Sequence, residues 1–558
     1  MSAKTRFNKQ QDDINSRAGQ MYNLCINSQF DPETGEVLDD LARINNIPTV
    51  AANYPMFESI SPEHQQFIIS GAQTAIREYE ETFGEFPRAD IMASAHKAME
   101  NMLLLEGRNE KGTLGEMMLE SLGQTFDTNS DNIEIRARTV GVILPVLLST
   151  ATLDAVTLLP GDANEVEIFK IRRRTGTSFG DFKAGTEIDQ LAVGQYSSMR
   201  QRYPFVEDQQ PDGSKTEFTF TSKTDLANTT EEIPFNKKSV SLFVNRKKIA
   251  RDLDGAENSF MGKFDVDGTT VTITCDVNYD TGTLTVSTGG IALPTGTLLD
   301  AEFEVDIEKR PDLIPTIEYD MEGKKIRPFQ RAIAADATIQ SMFTLQREFN
   351  IDIKSMQQGH LRNVIAAEKS QGHLRDMNYA CTRETTFNIY VEPGEEWRGH
   401  RQRLQETLLN VSEEILKTTK VTGMTGLYAG RSASTIIKTL GAPDFIAPAN
   451  YKQTNDIHYA GKLFGVWKVF EAPIVIGDFE LLCYGRGSSY NEAGYVAGDA
   501  IPATLYTHPI LANLRARDTL YELSYGEIHP YDGELYFYRV KLIDEAPTVA
   551  SEELPAAA

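Results

Sequence analysis

Ile333 to Phe349, IAADATIQSMFTLQREF, is followed by Asp352 to Cys381, DIKSMQQGHLRNVIAAEKSQGHLRDMNYAC. The first run leans toward β structure, with Ile339, Phe343 and Leu345 as its bulky residues. The second reads as one long helix. Asp352 serves as its N-cap, and Ile353, Met356, Leu361, Val364 and Ile365 form an apolar stripe. A helix of that length spans about 45 Å, which suits a flat, plate-like building block better than an enzyme core. Gly359 and Gly372 each cost about 1 kcal/mol inside it. The helix is expected to cross Gly359 and to bend or end near Gly372.

Outward from this stretch, the composition sets bounds. With 558 residues the chain is too long for one compact core, so roughly two to four domains are expected. Cys25, Cys275, Cys381 and Cys483 lie far apart with no CxxC pair, which argues against a disulfide framework or a zinc site and suits a reducing cytosol. The polar start MSAKTRFNKQQDDINSR is no signal peptide. The longest apolar run, Val140 to Leu148, is broken by Pro145 and too short to span a bilayer. A net charge of −25 argues against gripping a nucleic-acid backbone. It is compatible with life beside packed DNA, where like charge prevents sticking. The basic cluster Lys170, Arg172, Arg173 and Arg174 reads as a solvated strand end or subunit contact.

Residues 1 to about 130 read as helical. Ser61-Pro62 opens a helix whose stripe runs through Ile68, Ala72, Ala75, Ile76, Tyr79 and Phe83 to a stop at Gly84. Further helices are expected from about Ala89 to Leu105 and from Leu114 to Leu122. Such a segment packs either on its own chain or on a neighbour. From about Asn129 the texture turns β-rich, with strands expected in Glu134 to Leu148 and Ala155 to Arg172 around a Pro160-Gly161 turn. Between Thr216 and Ile307 short alternating runs (TEFTFTS, VSLFVN, TTVTITCDV, TLTVS, AEFEVDI) and the turns Asp267-Gly268 and Asp280-Thr281-Gly282 predict a thin β-sandwich or embellished hairpin set into a larger domain. Beyond the opening stretch, Thr385 to Val391 reads as a strand. From about Glu395 to Lys420 an amphipathic helix follows, with Leu404, Leu408, Val411 and Ile415 on one face. Then come a strand over Thr422 to Ala429, a short helix over Ser432 to Leu440, and the strands KLFGVWKVF, APIVIG, FELLCYG and ELYFYRVKLI. The tail from Asp544 has a disordered composition.

No HExxH, nucleophile elbow or phosphate loop is present. Gly485-Arg486-Gly487-Ser488-Ser489-Tyr490 lacks the third glycine of a dinucleotide loop and reads as a turn. Asp276, Asn278 and Asp280 start like a calcium loop, but Thr281 and Ser287 stand where glycine and a bidentate glutamate belong. His360 and His373 lie about 20 Å apart along one helix and cannot share a metal. The pairs Asp39-Asp40, Glu395-Glu396 and Glu413-Glu414 read as solvated faces. No catalytic, cofactor-binding or metal-binding residues are assigned, and a structural, non-enzymatic role is expected.

The order of several short segments resembles the major capsid proteins of tailed bacteriophages, especially the myovirus type, over about residues 130 to 543. Thr139-Val140-Gly141-Val142-Ile143-Leu144-Pro145 looks like the family's valine-glycine-valine segment. The stretch to Ile307 with its return through Arg331 to Leu345 looks like the extended loop, and Leu345 to Cys381 like the loop's end and spine helix. Glu395 to Lys420, Gly426-Leu427-Tyr428-Ala429 and Ser432 to Leu440 look like the elements leading into the axial domain. Gly461 to Phe470 with Ala472-Pro473, and Tyr484 to Tyr495, resemble its later strands and the segment before the last strands.

The resemblance implies an α+β fold of the tailed-phage major capsid type. Its parts would be an N-terminal helical arm over 1–130, the start of the capsid core over 131–205, and a β-rich insertion in the extended loop over 206–325. The returning strand, spine helix and second helix of the peripheral domain would occupy 326–421, an axial domain with closing strands 422–543, and an acidic tail 544–558. The arm is either retained or a scaffold-like segment removed on maturation. The implied function is self-assembly, as hexameric and pentameric capsomers, into an icosahedral virion shell enclosing double-stranded DNA as cargo. Portal, scaffold, maturation protease and decoration proteins are the implied partners, with no membrane, and with assembly in the host cytoplasm. The alternatives are an encapsulin-type nanocompartment shell, disfavoured by chain length and the β insertion, and a carbohydrate-binding, adhesin-like protein. The second is disfavoured because Trp397 and Trp467 are the only tryptophans.

Overall fold

The computed structural model describes residues 3–545 apart from 32–33, 55–56, 58–61, 110–142, 149, 162–164, 189–193, 227–230, 254–257, 267–268, 350–352, 392–393, 395, 449–450, 452 and 509–514. The chain forms two compact units, Met1–Lys170 with Glu322–Ala558, and Ile171–Met321. The helix expected over Leu114 to Leu122, the Asp267-Gly268 turn and the Asp352 cap lie outside the described residues, as does the tail beyond 545.

The first unit opens with four helices, α1 (Ala3–Cys25), α2 (Asp40–Ala51), α3 (Pro62–Phe83) and α4 (Ala89–Asn109). In α1 the buried residues Phe7, Ile14, Ala18, Met21 and Leu24 recur at helical spacing and line one face. Helix α3 stops where Gly84 takes φ +74°, a conformation open to glycine. Helix α4 buries Ile91, Met92, Ala95, Ala98 and Met99. These helices share one core with Leu374, Met377, Tyr428, Phe470, Tyr484, Tyr495 and Phe537, far along the chain in the same unit. Each such large side chain contributes about 1.5–3 kcal/mol on burial. The N-terminal helices therefore pack on their own chain.

Residues 143–148 are helical, which corrects the strand expected there. Pro145 is tolerated in a first helical turn, and Ile143, Leu144, Leu147 and Leu148 then fall on one buried face. Strands β1 (Val156–Leu158) and β2 (Val166–Thr175) follow.

The second unit is a sandwich built from β3 (Arg200–Pro204), β4 (Glu217–Thr221), β5 (Ser241–Val244), β6 (Lys247–Arg251), β7 (Ser259–Val266), β8 (Thr269–Asn278), β9 (Thr283–Ser287) and β10 (Leu299–Glu304). One sheet has the order β3-β10-β5-β6 and the other β4-β9-β8-β7. Alternation puts Phe218, Phe220, Val271, Ile273 and Val286 from one sheet against Leu242, Val244, Ala301 and Phe303 from the other. Phe235 stacks on Phe303 with ring centroids 4.2 Å apart. Strands β3, β6 and β7 were not legible, because charged residues and Gly262 interrupt their alternation.

The chain leaves this unit along β11 (Ile317–Ile326), which pairs with β2. Strand β12 (Phe329–Thr338) leads into helix α5 (Ile339–Phe349) and then the long helix α6 (Ile353–Ala380). The β-leaning run therefore divides at Thr338. Its hydroxyl accepts the N–H of Ser341 at 3.2 Å, and Ile339 and Phe343 become i and i+4 of a helix. Helix α6 runs through both Gly359 and Gly372, so the expected end near Gly372 is corrected. It packs on the sheet β1-β19-β20-β12, whose long members are β19 (Tyr495–His508) and β20 (Arg515–Ile528). Leu361 and Ile365 of α6 meet Leu520, Ile333 and Ala335 there. The tertiary contacts offset the propensity cost of the two glycines.

The remaining elements are β13 (Glu384–Asn388), a short helix over Trp397–Gln402, α7 (Leu404–Thr419), β14 (Met424–Ala429), α8 (Arg431–Lys438), β15 (Phe445–Ile446), β16 (His458–Leu463), β17 (Trp467–Glu471), β18 (Glu480–Gly485) and β21 (Phe537–Ile543), so the one helix expected from Glu395 to Lys420 is divided at Arg403. The strands form a mixed sheet in the order β13-β21-β18-β14-β17-β16-β15. Leu404, Leu408, Val411 and Ile415 of α7 are buried against it, as their spacing predicts. KLFGVWKVF is a hairpin, not one strand, because Phe464 (φ 50°) and Gly465 (φ 73°) turn the chain. APIVIG is a turn, not a strand, since Pro473 has no N–H to donate to a ladder.

Helix α7 ends on Lys420 at φ 57°, whose N–H donates to the Leu416 carbonyl at 2.7 Å. This left-handed position favours glycine. Lys420→Gly is expected to stabilise the first unit by about 0.5–1 kcal/mol. Thermal denaturation of the two proteins checks it, and a lower melting temperature for the variant would contradict it.

Candidate functional site

Two clusters of buried charge in the first unit each join distant segments. At the first, helix α4 begins. The Asp90 carboxylate accepts from Arg88 Nε at 3.1 Å, Arg486 Nη2 at 3.0 Å and the Leu158 N–H at 3.2 Å. Arg88 also donates to the carbonyls of Leu153 at 2.8 Å and Val156 at 2.9 Å. Asp154 accepts from Lys468 Nζ at 2.8 Å and from the Tyr484 hydroxyl at 2.7 Å. Burial opposes ionisation of Asp90 and Asp154, yet the neighbouring cations hold both carboxyls below their usual range.

The second place lies where α6 crosses β19 and β20. Lys369 Nζ touches Asp499 Oδ1 and lies 2.9 Å from Glu522 Oε1. Arg331 on β12 stands 3.9 Å from the same glutamate. All four side chains are largely buried. Burial and the neighbouring Glu522 raise the Asp499 carboxyl to about 6, while Lys369 and Arg331 hold Glu522 low. A cavity of about 50 Å³ with Ile143, Leu147, Ile365 and Pro502 in its walls adjoins this cluster. One turn along α6, His373 faces the Thr152 hydroxyl at 3.2 Å.

Of these groups only Arg486, within the Gly485 to Tyr490 turn, and His373 were weighed in the sequence, neither as part of a charged cluster. A lysine two turns after Leu361 and one after Ile365 stands on the apolar stripe, and Glu522 shares the buried face of its strand with Leu520 and Ser524. Those are the local signals that were present. Pairing across the chain carries the rest.

Apart from Arg486 and His373, the candidates that were weighed fall elsewhere. Asn278 Oδ1 accepts the N–H groups of Asp280 at 3.1 Å and Thr281 at 3.4 Å, and Asp280 pairs with Lys309 at 2.6 Å. These oxygens are spent on a hairpin turn. Gly485 ends β18, and the Gly487 N–H donates to the Glu492 carbonyl at 2.7 Å in a turn. His373 is buried, while His360 is exposed. Asp39 caps α2, accepting the Ala42 N–H at 3.2 Å, and Glu413 and Glu414 are exposed. Lys170 pairs with Asp532, Arg172 with Glu187 at 3.3 Å and Arg174 with Asp320 at 3.6 Å. Among the described residues, no group of three or more His, Cys, Asp or Glu could hold a metal ion, and no helix is long and apolar enough to cross a membrane.

Large apolar side chains remain at the surface. Tyr379 on α6 is 91% exposed and Phe343 on α5 61%. Such residues on a long helix and its leading turn are suited to contact with another molecule.

Buried histidines give the first unit a pH response. Burial, with Arg17 beside it, lowers His96 to about 4, and burial near Lys170 and Lys324 lowers His529 to about 4. Their folded values lie below the unfolded one. Their contribution is therefore complete above about pH 6.5 and lost as pH falls toward 4, at up to about 1.4 kcal/mol per pH unit per histidine. Urea denaturation at pH 7 and pH 5 checks this. A midpoint unchanged at pH 5 would contradict it.

The family model described as "Major capsid protein Gp23" matches residues 184–496, and a domain of unknown function, DUF8615, matches residues 2–150. Protein IncB of Escherichia coli is 30% identical over 167 residues, which are 30% of this chain and 80% of that protein. Among solved structures, the capsid of jumbo bacteriophage PhiKZ is similar at 8% identity and TM-score 0.35, over 71% of this chain and 92% of that one. The mature capsid of bacteriophage PhiM1 is similar at 12% identity and TM-score 0.28, over 41% of this chain and 76% of that one. The SrpI encapsulin complex from Synechococcus elongatus PCC 7942 is similar at 10% identity and TM-score 0.28, over 41% of this chain and 78% of that one.

Proposed function

The chain belongs to the Gp23 major capsid protein family, whose model spans more than half of it, and from that premise we propose that it tiles an icosahedral phage head as hexamers and pentamers around double-stranded DNA. Membership makes it a structural α+β subunit of a virion capsid shell. The observation that carries the finer reading is α6, a 28-residue helix laid along a largely antiparallel sheet with Tyr379 left exposed. Extended plates of this kind add modest contact energies over many copies, and closure multiplies them. A net charge of −25 keeps the shell from adhering to packed DNA.

In this reading α6 on β12, β19 and β20 is the spine of the peripheral domain, α7 with the sheet β13-β21-β18-β14-β17-β16-β15 forms the axial domain, and the β-sandwich is an insertion in the extended loop. The subunit has no catalytic role. It assembles in the host cytoplasm with scaffold, portal, maturation protease and decoration proteins. Nuclease treatment of purified particles tests the cargo: protected double-stranded DNA is expected. Particles that hold only protein would instead fit a nanocompartment shell.

A further inference from the structure

The cluster of Lys369, Asp499 and Glu522 brings an amine and two carboxyl groups together in one largely buried site. Lys369 on α6 and Asp499 on β19 are 130 residues apart in sequence, yet Nζ touches Oδ1. Glu522 on β20 contacts the same ammonium at 2.9 Å, which places its carboxylate beside that of Asp499. Ile143, Leu147, Ile365, Pro502 and Ala503 wall the site, so bulk water is largely kept from the reacting atoms. An amine held against a carboxyl in a fixed geometry loses the entropy cost of encounter, and a carboxylate touching both partners can move protons between them.

We propose that Lys369 and Asp499 join in a spontaneous intramolecular isopeptide bond, with Glu522 as the proton carrier. The Lys369 ammonium gives a proton to the Glu522 carboxylate. The freed amine attacks Cγ of the protonated Asp499 carboxyl, and the C–N bond forms. A second proton leaves nitrogen for the departing hydroxyl, the C–O bond breaks, and water is released. Glu522 ends protonated, so net charge is unchanged, and no oxidant or cofactor is consumed. Burial raises the Asp499 carboxyl toward its protonated, reactive form at neutral pH. The two carboxylates hold the proton on Lys369 against the effect of burial, so the bond forms after folding and more slowly than it. The linkage ties α6 covalently to the sheet it lies on.

Peptide mass spectrometry on the full-length protein, denatured and digested after storage in its folded state, tests the proposal. A branched peptide pair joining the segments of Lys369 and Asp499, lighter than their sum by one water, is expected. Asp499→Ala should abolish it, and Glu522→Gln, which keeps the side-chain volume, should abolish or strongly slow it. Only unlinked peptides from the wild-type protein would overturn the proposal, as would a loss of water mapped to other residues. Linkage in Glu522→Gln at the wild-type rate would remove Glu522 from the mechanism. Should a variant fail to fold, the wild-type peptide map decides alone.

Discussion

Asp90→Ala is expected to destabilise the first unit by about 3–5 kcal/mol, the cost of breaking a buried pair by removing one partner. Asp90 is 5% exposed and accepts from Arg88, Arg486 and the Leu158 N–H. Without it the buried Arg486 guanidinium and a backbone donor lose their partner, the part-buried Arg88 loses its carboxylate, and Arg88 and Arg486 repel each other. Asp90 and Arg486 are 396 residues apart, so the contact joins the start of α4 to the loop after β18. Urea denaturation measures the loss. Glu85→Ala is the control: Glu85 also pairs with a lysine, Lys468, but its side chain is 54% exposed, and a change below about 1 kcal/mol is expected. Equal effects of the two substitutions would show that the buried cluster does not anchor the N-terminal helices.

Gly282→Val should cost about 3–5 kcal/mol in the second unit, from two independent sources. Gly282 has φ +64°, a left-handed conformation that a β-branched residue adopts only under strain. A Cβ there would lie 1.9 Å from the Ile233 carbonyl oxygen and 2.6 Å from Ser222 Oγ. The Ser222 N–H also donates to the Gly282 carbonyl at 2.9 Å, so relief of the clash breaks a hydrogen bond. Amide exchange in β8 and β9 reads the effect directly. Wild-type protection in the variant would mean that the turn relaxes freely.

Asp280-Thr281-Gly282 also shows how far sequence reading reaches. The turn was legible because its φ requirement is local. The packing of Ile233 and Ser222 against it was not, since nothing near residue 282 encodes them. The same contrast runs through the fold. The stripe Leu404, Leu408, Val411 and Ile415 and the alternation in β4, β8 and β9 are local periodicities, and both appear as expected, whereas β5 is buried on both faces. Strands β19 and β20 went unread although each has 14 residues. Gly498 and Pro502 interrupt the pattern of β19, and register shifts between Asp499 and Thr504 accommodate them. Phe343 was placed in a strand because its spacing from Leu345 fits period two, but the cap supplied by Thr338 decided for a helix. The charged clusters were the least legible. Asp90, Arg486, Lys369, Asp499 and Glu522 are ordinary surface residue types, and only long-range topology buries them together.

The most direct test of the central claim is electron microscopy of the purified full-length chain across a range of concentrations. A capsid subunit is expected to give closed shells, tubes or hexameric capsomers. A protein that stays monomeric and disperse at every concentration, while folded by circular dichroism, would contradict it.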